Sequence, residues 1–337
     1  MTVRRSTAWA PVNIALVKHW GYDERNMGLP ARQSLSLTLE HGATTTVEWD
    51  AGLRVDEISI NGRLLTPHDG QKAAQAYQLL HSVRTTAGLL GHSARVQSES
   101  AVPMSGGLAS SASGGAALTL AALDAAGLAE HLEERELIAW CARAGSLSAV
   151  RSLRGGVVTL TSREGPLSLQ NVETPLELTV LSCLVDAKRK AVSSSDGHLR
   201  ASTSPYFRVF RERSAELVAE MAAALEEGAL ETLGALVEED ALDMHAVMLT
   251  SRPPVIYTRD STWKVWRQVA RWRDEGLQAW CTLDAGPNPH VLCRSSDAKV
   301  LEERLGALSE VERVWRSEVS PWGAHVIAPT DGARVVM

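Results

Sequence analysis

The chain has 337 residues, of which 45% are hydrophobic and 22% charged, and its formal net charge at pH 7 is −6. This acidic balance argues against a nucleic-acid-binding protein, which would carry a basic face, and no apolar run approaches the ~20 residues that a membrane-spanning helix needs. The N-terminus lacks the long apolar core of a secretory signal, so we expect a cytoplasmic protein with no nucleic-acid or membrane partner. The length suits two lobes of roughly 150 residues with a cleft between them.

The first hundred residues predict mainly β-structure. Strands are predicted at residues 7–18, 34–39, 44–49, 54–60 and 94–99, and a helix at residues 71–90. Pro11 restricts part of the first strand to a sheet edge or a bulge. Asn61-Gly62 favours a type I′ turn after the fourth strand. Lys18 follows the apolar end of the first strand, where an irregular polar segment begins.

A loop rich in glycine and serine at residues 102–115 runs directly into an apolar helix. Its glycines permit unusual backbone angles, and its serines stand where the helix begins. The unpaired N–H groups and the positive dipole end of a helix N-terminus suit an anion such as a polyphosphate. The segment has neither the Gly-Lys-Ser/Thr of a Walker motif nor the glycine spacing of a dinucleotide fingerprint. Taken alone, it leaves open a phosphate site and an ordinary structural turn.

The rest of the chain alternates helices and strands. Helices are predicted at residues 133–144, 207–227, 230–249, 261–275 and 297–308, and strands at residues 157–161, 176–185, 277–283, 290–294, 314–319 and 325–327. We expect Ser261 to be the N-cap of the fourth of these helices and Gly276 to end it. The fold class is therefore α+β. We place the boundary between an N-terminal lobe, residues 1–190, and a C-terminal lobe, residues 191–337, in a polar and basic crossover, with the last two predicted strands completing the second lobe.

Short motifs, separated along the chain, carry a family resemblance. They stand in order at residues 11–18, 20–21, 29–30, 34–36, 107–114, 145–152, 155–156, 192–194, 203–205, 245–246 and 284–288. Examples are Gly-Leu-Ala-Ser-Ser-Ala-Ser-Gly at 107–114 and Asp-Ala-Gly-Pro-Asn at 284–288. Together they resemble the GHMP small-molecule kinase superfamily, and within it the mevalonate diphosphate decarboxylase family. The motifs cover nearly the whole chain.

The resemblance implies a two-lobed GHMP kinase fold, with an N-terminal lobe like domain 2 of ribosomal protein S5 and a ferredoxin-like C-terminal lobe. It implies that ATP and Mg²⁺ bind in the cleft, with the ATP phosphates on the loop at 102–115. The implied reaction phosphorylates the tertiary 3-hydroxyl of a mevalonate phosphate, releases the 3-phosphate and carbon dioxide, and forms an isopentenyl phosphate for isoprenoid biosynthesis. The implied partners are these small molecules, and a second copy of the chain in a homodimer.

The resemblance also implies roles for single residues. Asp284 would orient or deprotonate the hydroxyl, Lys18 would hold the phosphoryl group or the hydroxyl by its charge, and Arg151 would offer a bidentate fork to the substrate carboxylate. The other expected substrate contacts are His19, Tyr22, Arg32, Ser146, Ser148, Arg154, Ser193 and Ser194. The expected contacts to ATP are Ser105, Gly106, Gly107, Ala109, Ser110, Ser111 and Ser113, with Ser111 also a ligand of Mg²⁺. His245 matches the family in position, but in an apolar helix we expect it to be a satisfied core histidine.

The sequence departs from the family pattern at one end of the implied substrate site. The family's lysine-tyrosine-tryptophan-glycine-lysine run reads Lys18-His19-Trp20-Gly21-Tyr22 here, so the tyrosine and second lysine that contact the terminal phosphates are replaced. Ser195, where a basic residue is usual, is a further loss on the same side of the pocket. Against these losses, Arg32 replaces an asparagine and Arg154 replaces an aromatic residue. Loss of positive charge indicates altered recognition of the 5-phosphate group. Both the 5-monophosphate and the 5-diphosphate of mevalonate therefore stay open as substrates.

Two further functions remain as alternatives. One is a mevalonate-type 3-kinase that stops at the 3-phosphate, and the other is a non-catalytic nucleotide-binding protein. Lys18, Arg151 and Asp284 together favour the decarboxylase, because a kinase alone has less need of all three.

Overall fold

The computed structural model describes residues 4–23, 26–101, 110–143, 147–162, 166–188 and 190–328, with the backbone alone described at 26–28 and 110. These residues form two antiparallel-rich sheets covered by helices, which confirms the predicted α+β class. Within the described ranges no helix combines the length and the apolar character needed to cross a membrane.

The first sheet has eight strands. They are β1 Arg4–Val17, β4 Ser34–Asp50, β5 Glu57–Ile60, β6 Arg63–Leu65, β7 Ser93–Ser100, β8 Val157–Thr161, β9 Ser168–Val172 and β14 His325–Val326. The order is β14-β1-β4-β7-β5-β6, with β8 beside β4 and β9 beside β8. The pair β5–β7 is parallel and the other pairs are antiparallel. A separate hairpin joins β2 Tyr22–Asp23 to β3 Asn26–Pro30 directly after β1.

Four helices accompany this sheet: α1 Gln71–Thr86, α2 Ser110–Ala125, α3 Glu134–Arg143 and α4 Leu147–Arg151, with a 3₁₀ turn at Ala129–His131. The helix α2 is rich in alanine, and Ala116, Ala117 and Ala121 are fully buried. Such small side chains let the helix lie close to the sheet. The N-terminus of α2, where the glycine-serine loop ends, is thereby held against the core.

The second sheet has four antiparallel strands in the order β11-β12-β10-β13. They are β10 Leu178–Leu184, β11 Ala279–Leu283, β12 Pro289–Arg294 and β13 Arg313–Glu318. Its helices are α5 Ser194–Arg200, α6 Phe207–Glu212, α7 Ser214–Glu226, α8 Leu230–Thr250, α9 Asp260–Asp274 and α10 Ala298–Gly306, with a 3₁₀ turn at Ala201–Thr203. One core cluster joins α9 and α10 to this sheet, and another joins α7 and α8 to it.

The core cluster under α7 and α8 also contains side chains of the first sheet. Ile14 and Leu16 of β1 lie in the same cluster as Val237 of α8 and Trp280 of β11. Burial of this shared apolar surface fixes the two sheets relative to each other. As a result, the C-terminal end of β1 lies beside α8 and near the end of β11, where the candidate site forms.

Several local predictions are confirmed. The register of β1 against β4 shifts between Pro11 and Asn13, as expected for a bulge at the proline. Asn61 and Gly62 both have positive φ, 48° and 77°, as a type I′ turn requires. Gly276 follows α9 with φ of 101°, a conformation that a glycine adopts without strain.

Other local predictions are wrong, and each has a physical reason. The strands predicted at 34–39 and 44–49 are one strand, because Gly42 packs so closely on Ala10 that a Cβ there would lie 2.3 Å from the Ala10 carbonyl oxygen. The helix predicted at 207–227 is divided into α6 and α7, and the Ser214 hydroxyl donates to the Arg211 carbonyl at the break. The N-cap of α9 is Arg259 and not Ser261. The main-chain N–H of Arg259 donates to the Thr262 hydroxyl.

The chain also crosses between the sheets differently from the prediction. β10 precedes the predicted boundary at 190/191, yet it is an inner strand of the second sheet. β14, predicted to complete the second lobe, instead pairs with β1 of the first sheet through Ala8 and Trp9. The free edge of β1 offers unpaired backbone groups that a returning strand satisfies.

Candidate active site

Two charged side chains from the ends of two strands meet in the cleft. Lys18 follows β1, and its Nζ donates a hydrogen bond of 2.8 Å to Oδ1 of Asp284, which follows β11. The lysine side chain is 1% exposed and the aspartate side chain 23% exposed. A charge buried this deeply needs a partner. The pair therefore holds the two lobes together at a point that solvent still reaches from the side of Asp284.

The surroundings of Asp284 keep its carboxylate ionised. Burial acts to raise the pKa of this carboxyl, but the charges of Lys18 and His290, the hydrogen bond from Lys18 and the charge of Arg151 outweigh burial, and the net pKa is lowered. An ionised carboxylate accepts hydrogen bonds, and one whose pKa is lowered is a weak base. This favours orientation of a hydroxyl over full deprotonation of it.

The turn that carries Asp284 is anchored on several sides. The Gly286 N–H donates to the Asp284 carbonyl at 2.7 Å, and the Thr262 hydroxyl of α9 donates to the Pro287 carbonyl. The Asn288 side-chain oxygen accepts the main-chain N–H of Val185 at 2.7 Å. These bonds fix the position of the carboxylate at the end of β11.

His245 is buried in α8, as predicted, and it also supports Asp284. Its Nε2 lies 3.2 Å from the Asp284 carbonyl oxygen. Because a carbonyl only accepts, Nε2 carries the proton in this contact. Burial lowers the pKa of His245 to about 4, and the charge of Lys18 acts in the same direction.

We predict that His245 makes the stability pH-dependent. Its pKa is about 4 in the folded chain and 6.5 in its ordinary state, so between these values the unfolded chain binds more protons and the free energy of unfolding falls as the pH falls. Between pH 6.5 and pH 4.5 this contribution is about 2 kcal/mol. His245→Gln, which does not titrate, should lose about that much of the pH dependence in urea unfolding at the two pH values. Equal pH dependence in both proteins would contradict the prediction.

Arg151, the last residue of α4, lies next to this pair. Its Nε donates to Asn13 Oδ1 at 3.0 Å and its Nη1 to Ser34 Oγ at 3.3 Å. Asn13 in turn donates to the Ser148 carbonyl and to the Ser152 hydroxyl. Burial lowers the pKa of Arg151 to about 10, against the opposing charge of Asp284, so the guanidinium stays charged at neutral pH. The strand β1 thus positions both Lys18 and, through Asn13, Arg151.

Three aromatic rings line the recess beyond Arg151. The His19 and Tyr22 ring centroids lie 4.8 Å and 5.2 Å from that of His198 in α5. The Gly21 N–H donates to Nδ1 of His198 at 3.0 Å, so the proton of the neutral ring is on Nε2. Burial lowers the pKa of His198 to about 3 and the pKa of His19 well below its usual value. At neutral pH these three rings therefore carry no charge.

Arg32 is buried beside these rings. Its Nη2 pairs with Oδ1 of Asp240 in α8 at 2.8 Å, and its guanidinium carbon lies 3.6 Å from the centroid of the Phe210 ring. Its Nε and Nη1 are buried and have no hydrogen-bond partner among the described residues. Because the whole side chain is 0% exposed, Arg32 acts on the neighbouring His19 by its charge and not through an open donor.

Two lysines that the sequence reasoning missed add positive charge to the cleft. Lys190 Nζ donates to the Ser194 hydroxyl at 3.3 Å, and burial lowers its pKa against the opposing charge of Asp284. Lys72, near the start of α1, has an exposed side chain with many protein atoms around it. Desolvation by these atoms and the charge of Lys190 lower its pKa to about 8. The low number of lysines could have drawn attention to them. The chain has six lysines, and three of them, Lys18, Lys72 and Lys190, line this cleft.

Asp240 and His198 were missed as well. Asp240 stands on the buried stripe of α8 between Val237 and Met244, and a carboxylate on an apolar helical stripe is a signal that could have marked it. His198 offers no comparable signal, because nothing near it in the sequence indicates that it stacks on His19 and Tyr22.

The structure separates some expected substrate residues from this group. Arg154 forms an exposed ion pair with Glu134, in which it donates to both carboxylate oxygens at 2.5 Å and 2.6 Å. It also donates a hydrogen bond to the side-chain oxygen of Asn171. Among the described residues, its contacts are therefore with α3 and β9 and not with the Lys18–Asp284 pair. Ser193 caps α5, since its hydroxyl accepts the Asp196 N–H at 3.0 Å. Ser194 contacts Lys190, and Ser148 contributes its carbonyl to Asn13.

The expected ATP contacts are only partly described. Ser105, Gly106, Gly107 and Ala109, like the substrate residue Ser146, lie outside the described residues. Ser110 begins α2, Ser111 is exposed in its first turn, and Ser113 is fully buried. An exposed hydroxyl in the first turn of a helix is compatible with polyphosphate and with Mg²⁺, which takes oxygen ligands and keeps most of its contacts with phosphates and water.

Comparison with known proteins places the chain among relatives. The sequence model of the diphosphomevalonate decarboxylase-like N-terminal domain matches residues 10–168, and that of the mevalonate 5-diphosphate decarboxylase C-terminal domain matches residues 180–322. Human diphosphomevalonate decarboxylase is 34% identical over 311 residues, which are 84% of this chain and 75% of the human protein.

Solved structures agree with the sequence matches. The mevalonate diphosphate decarboxylase from Enterococcus faecalis is 30% identical, with a TM-score of 0.85 over 97% of this chain and 99% of that chain. A structure described as MDDEF in complex with MVAPP, AMPPCP and magnesium is also 30% identical, with a TM-score of 0.86 over the same shares. The two-lobed GHMP kinase fold implied by the motifs is thereby confirmed. The chain belongs to the diphosphomevalonate decarboxylase family.

Proposed function

We propose that the protein catalyses the ATP-dependent decarboxylation of a mevalonate phosphate. The observation that carries this proposal is the buried Lys18–Asp284 pair with Arg151 beside it. Phosphorylation needs a group that orients the hydroxyl and a cation that balances the developing negative charge. Decarboxylation needs a further group that holds the carboxylate in place. The three side chains meet these needs, and relatives named for this activity share the fold.

In the proposed reaction the tertiary 3-hydroxyl is first made a leaving group. Asp284 accepts a hydrogen bond from the hydroxyl, whose oxygen takes the γ-phosphoryl group of ATP with release of ADP, and the hydroxyl proton moves by way of Asp284 to an oxygen of the transferred phosphoryl group. Lys18 stabilises the negative charge on the phosphoryl group as it passes from ADP to the hydroxyl oxygen. The C–O bond to the new phosphate then breaks, the bond to the carboxylate supplies the electron pair of the alkene, and carbon dioxide and inorganic phosphate leave.

Arg151 has its role in the second half of this sequence. Its guanidinium is fixed by Asn13 and Ser34 and stays charged at neutral pH. We propose that it holds the substrate carboxylate so that the C–C bond lies in line for cleavage. This residue distinguishes the decarboxylase from a 3-kinase, because phosphoryl transfer alone needs no cation at the carboxylate.

We propose that ATP binds with its phosphates between the N-terminus of α2 and the lysines of the cleft. Lys72 and Lys190 repel each other, and this repulsion contributes to the lowered pKa of Lys72. A polyphosphate between them would relieve that repulsion. ATP supplies the phosphoryl group, and Mg²⁺ would be held by its phosphates and by the Ser111 hydroxyl.

A turnover assay tests this function. The protein is incubated with Mg-ATP and, separately, with mevalonate, its 5-phosphate and its 5-diphosphate, and ADP and carbon dioxide are followed together. We expect equal amounts of both products from at least one of the phosphates. ADP without carbon dioxide would identify a 3-kinase. Neither product from any of the three compounds would contradict both enzyme functions and favour a non-catalytic nucleotide-binding protein.

The choice between monophosphate and diphosphate rests on the recess at His19, Tyr22 and His198. Its three rings are neutral. Among the described residues, the charges of Arg151 and Arg32 act on His19, and those of Lys72, Arg151 and Lys190 act on His198. The charge of Arg32 is already balanced by Asp240. Compared with the family pattern, Tyr22 and Ser195 replace two basic residues. Fewer cations than in that pattern favour the ligand with fewer negative oxygens, so we propose the 5-monophosphate as a substrate beside the diphosphate named for the relatives.

Tyr22→Lys tests the influence of this recess on the choice of substrate. A lysine there restores a cation beside His198, and a hydrogen bond to a charged group contributes about 1.5–3 kcal/mol. We expect the ratio of kcat/KM for the diphosphate to kcat/KM for the monophosphate to rise at least about tenfold. Tyr22→Phe, which removes only the hydroxyl, is the matched control and should leave the ratio within about twofold. An unchanged ratio in Tyr22→Lys would remove Tyr22 from specificity.

We also propose that the protein acts in the cytoplasm as a homodimer. Large apolar side chains are exposed on α6 and α8, among them Val209, Leu242 and Leu249. Exposed apolar groups of this kind support contact with another protein surface. Light scattering coupled to size-exclusion chromatography measures the mass in solution, and a mass of one chain at micromolar concentration would contradict the homodimer.

A further inference from the structure

Asp240, in the middle of α8, has both carboxylate oxygens engaged in the protein interior. Oδ2 accepts the main-chain N–H of Lys18 at 2.6 Å, and Oδ1 accepts Nη2 of Arg32 at 2.8 Å. Its side chain and that of Arg32 are both 0% exposed. Hydrogen bonds to an ionised carboxylate in such surroundings are short and strong.

The bond to Lys18 lies where the strand ladder ends. The pairing of β1 with β4 reaches Val17 opposite Leu35 and goes no further. The next main-chain N–H, that of Lys18, therefore leaves the sheet while still buried, and a buried N–H without a partner is costly. Asp240 supplies that partner from a different element, and so determines where the backbone of Lys18 lies.

The same helix holds the other half of the pair. His245, five residues after Asp240 in α8, binds the Asp284 carbonyl. One rigid element thus fixes the main chain of Lys18 at one point and the main chain of Asp284 at another. The separation between Nζ and the carboxylate follows from these two contacts.

We propose that Asp240 is a positioning residue for the reaction, which acts through Lys18 and not through the substrate. The inference rests on the proposed function in that Lys18 is taken to act in phosphoryl transfer. An asparagine cannot replace the carboxylate, because its amide nitrogen would face either the Lys18 N–H or Arg32, placing donor against donor. Loss of the charge also leaves Arg32 buried without its partner.

The test is a double-mutant cycle of Asp240→Asn and Lys18→Met. With Lys18 present, we expect Asp240→Asn to lower kcat about 30-fold and KM for ATP to change less than about threefold. With Lys18→Met, the same substitution should lower kcat less than about threefold, because no lysine side chain remains to be positioned. Release of labelled carbon dioxide from carboxyl-labelled substrate detects the slow turnover of the Lys18 variants. A 30-fold loss in both backgrounds would show a general structural role and overturn the proposal.

Two measurements keep the proposal testable in all cases. Hydrogen exchange of the peptide that contains the Lys18 amide should be at least about tenfold faster in Asp240→Asn, and unchanged exchange would overturn the proposal even if no substrate were turned over. Glu239→Gln, the neighbouring residue in an exposed pair with Arg213, is the matched control and should change neither kcat nor this exchange. If Asp240→Asn does not fold, Asp240→Glu, which keeps the charge but moves it by one methylene, replaces it in the cycle. Absence of turnover in the unmodified protein contradicts the proposed function alone.

Discussion

Asp284→Asn is expected to lower kcat about 1000-fold while the affinity for ATP changes less than about threefold. The asparagine keeps the shape of the side chain but removes the negative charge that Lys18 neutralises and that a hydroxyl would donate to. The main-chain bonds that anchor the turn at residue 284 do not involve the carboxylate and stay in place in the variant, whereas the buried Lys18 loses its charged partner. Single-turnover measurement of ADP and carbon dioxide gives the loss, and calorimetry gives the ATP affinity.

The control for this variant is Asp274→Asn at the exposed end of α9. It removes the same charge from the same lobe, far from the cleft, and kcat should stay within about twofold of the unmodified protein. If Asp284→Asn also keeps its turnover, Asp284 has no place in the mechanism, and the Lys18–Asp284 pair is a structural ion pair between the lobes.

Arg151→Lys is expected to lower kcat/KM for the substrate about 100-fold, with ATP affinity unchanged. The guanidinium has a planar set of donors, of which Nε binds Asn13 and Nη1 binds Ser34. A lysine has one ammonium group at the end of a flexible chain, so it cannot hold these two contacts and still present a second donor to a carboxylate in fixed geometry. The expected loss therefore falls on substrate positioning.

The ratio of products separates this role from a structural one. If Arg151 holds the carboxylate, the remaining turnover of Arg151→Lys should release less carbon dioxide than ADP. The matched control is Arg304→Lys. Arg304 lies on α10 in an exposed pair with Glu275, and kcat/KM of this variant should change less than about twofold. An Arg151→Lys protein with normal kcat/KM would mean that another group binds the carboxylate.

Local features of the fold were predictable because neighbouring residues determine them. The Pro11 bulge follows from a missing N–H, and the turn at Asn61-Gly62 follows from two residues that tolerate positive φ. Predictions failed where a distant residue decided the outcome. Two strands were predicted on either side of Gly42, but its lack of a Cβ lets a single strand, β4, continue against Ala10.

The candidate site divides in the same way. Lys18, Arg151 and Asp284 were found from motifs that carry chemistry, and they remain the centre of the proposed mechanism. Arg154 was expected at the substrate because of its neighbours in sequence, whereas in the structure its Nε and Nη2 donate to Glu134 and its Nη1 to Asn171. Asp240 and Lys72 were missed because the role of each depends on residues far along the chain, Lys18 and Arg32 for Asp240 and Lys190 for Lys72.

By itself, the sequence determined the kinds of residues available for the reaction, the glycine-serine entry to α2 and the succession of strands and helices. Only the tertiary structure decided that Lys18 and Asp284, 266 residues apart, form one ion pair, and that Asp240 holds Lys18 from α8. The physical reason is that backbone preferences act between adjacent residues, whereas a buried charge finds its partner through the packing of the shared core. That packing brings the ends of β1 and β11 to the same place beside α8.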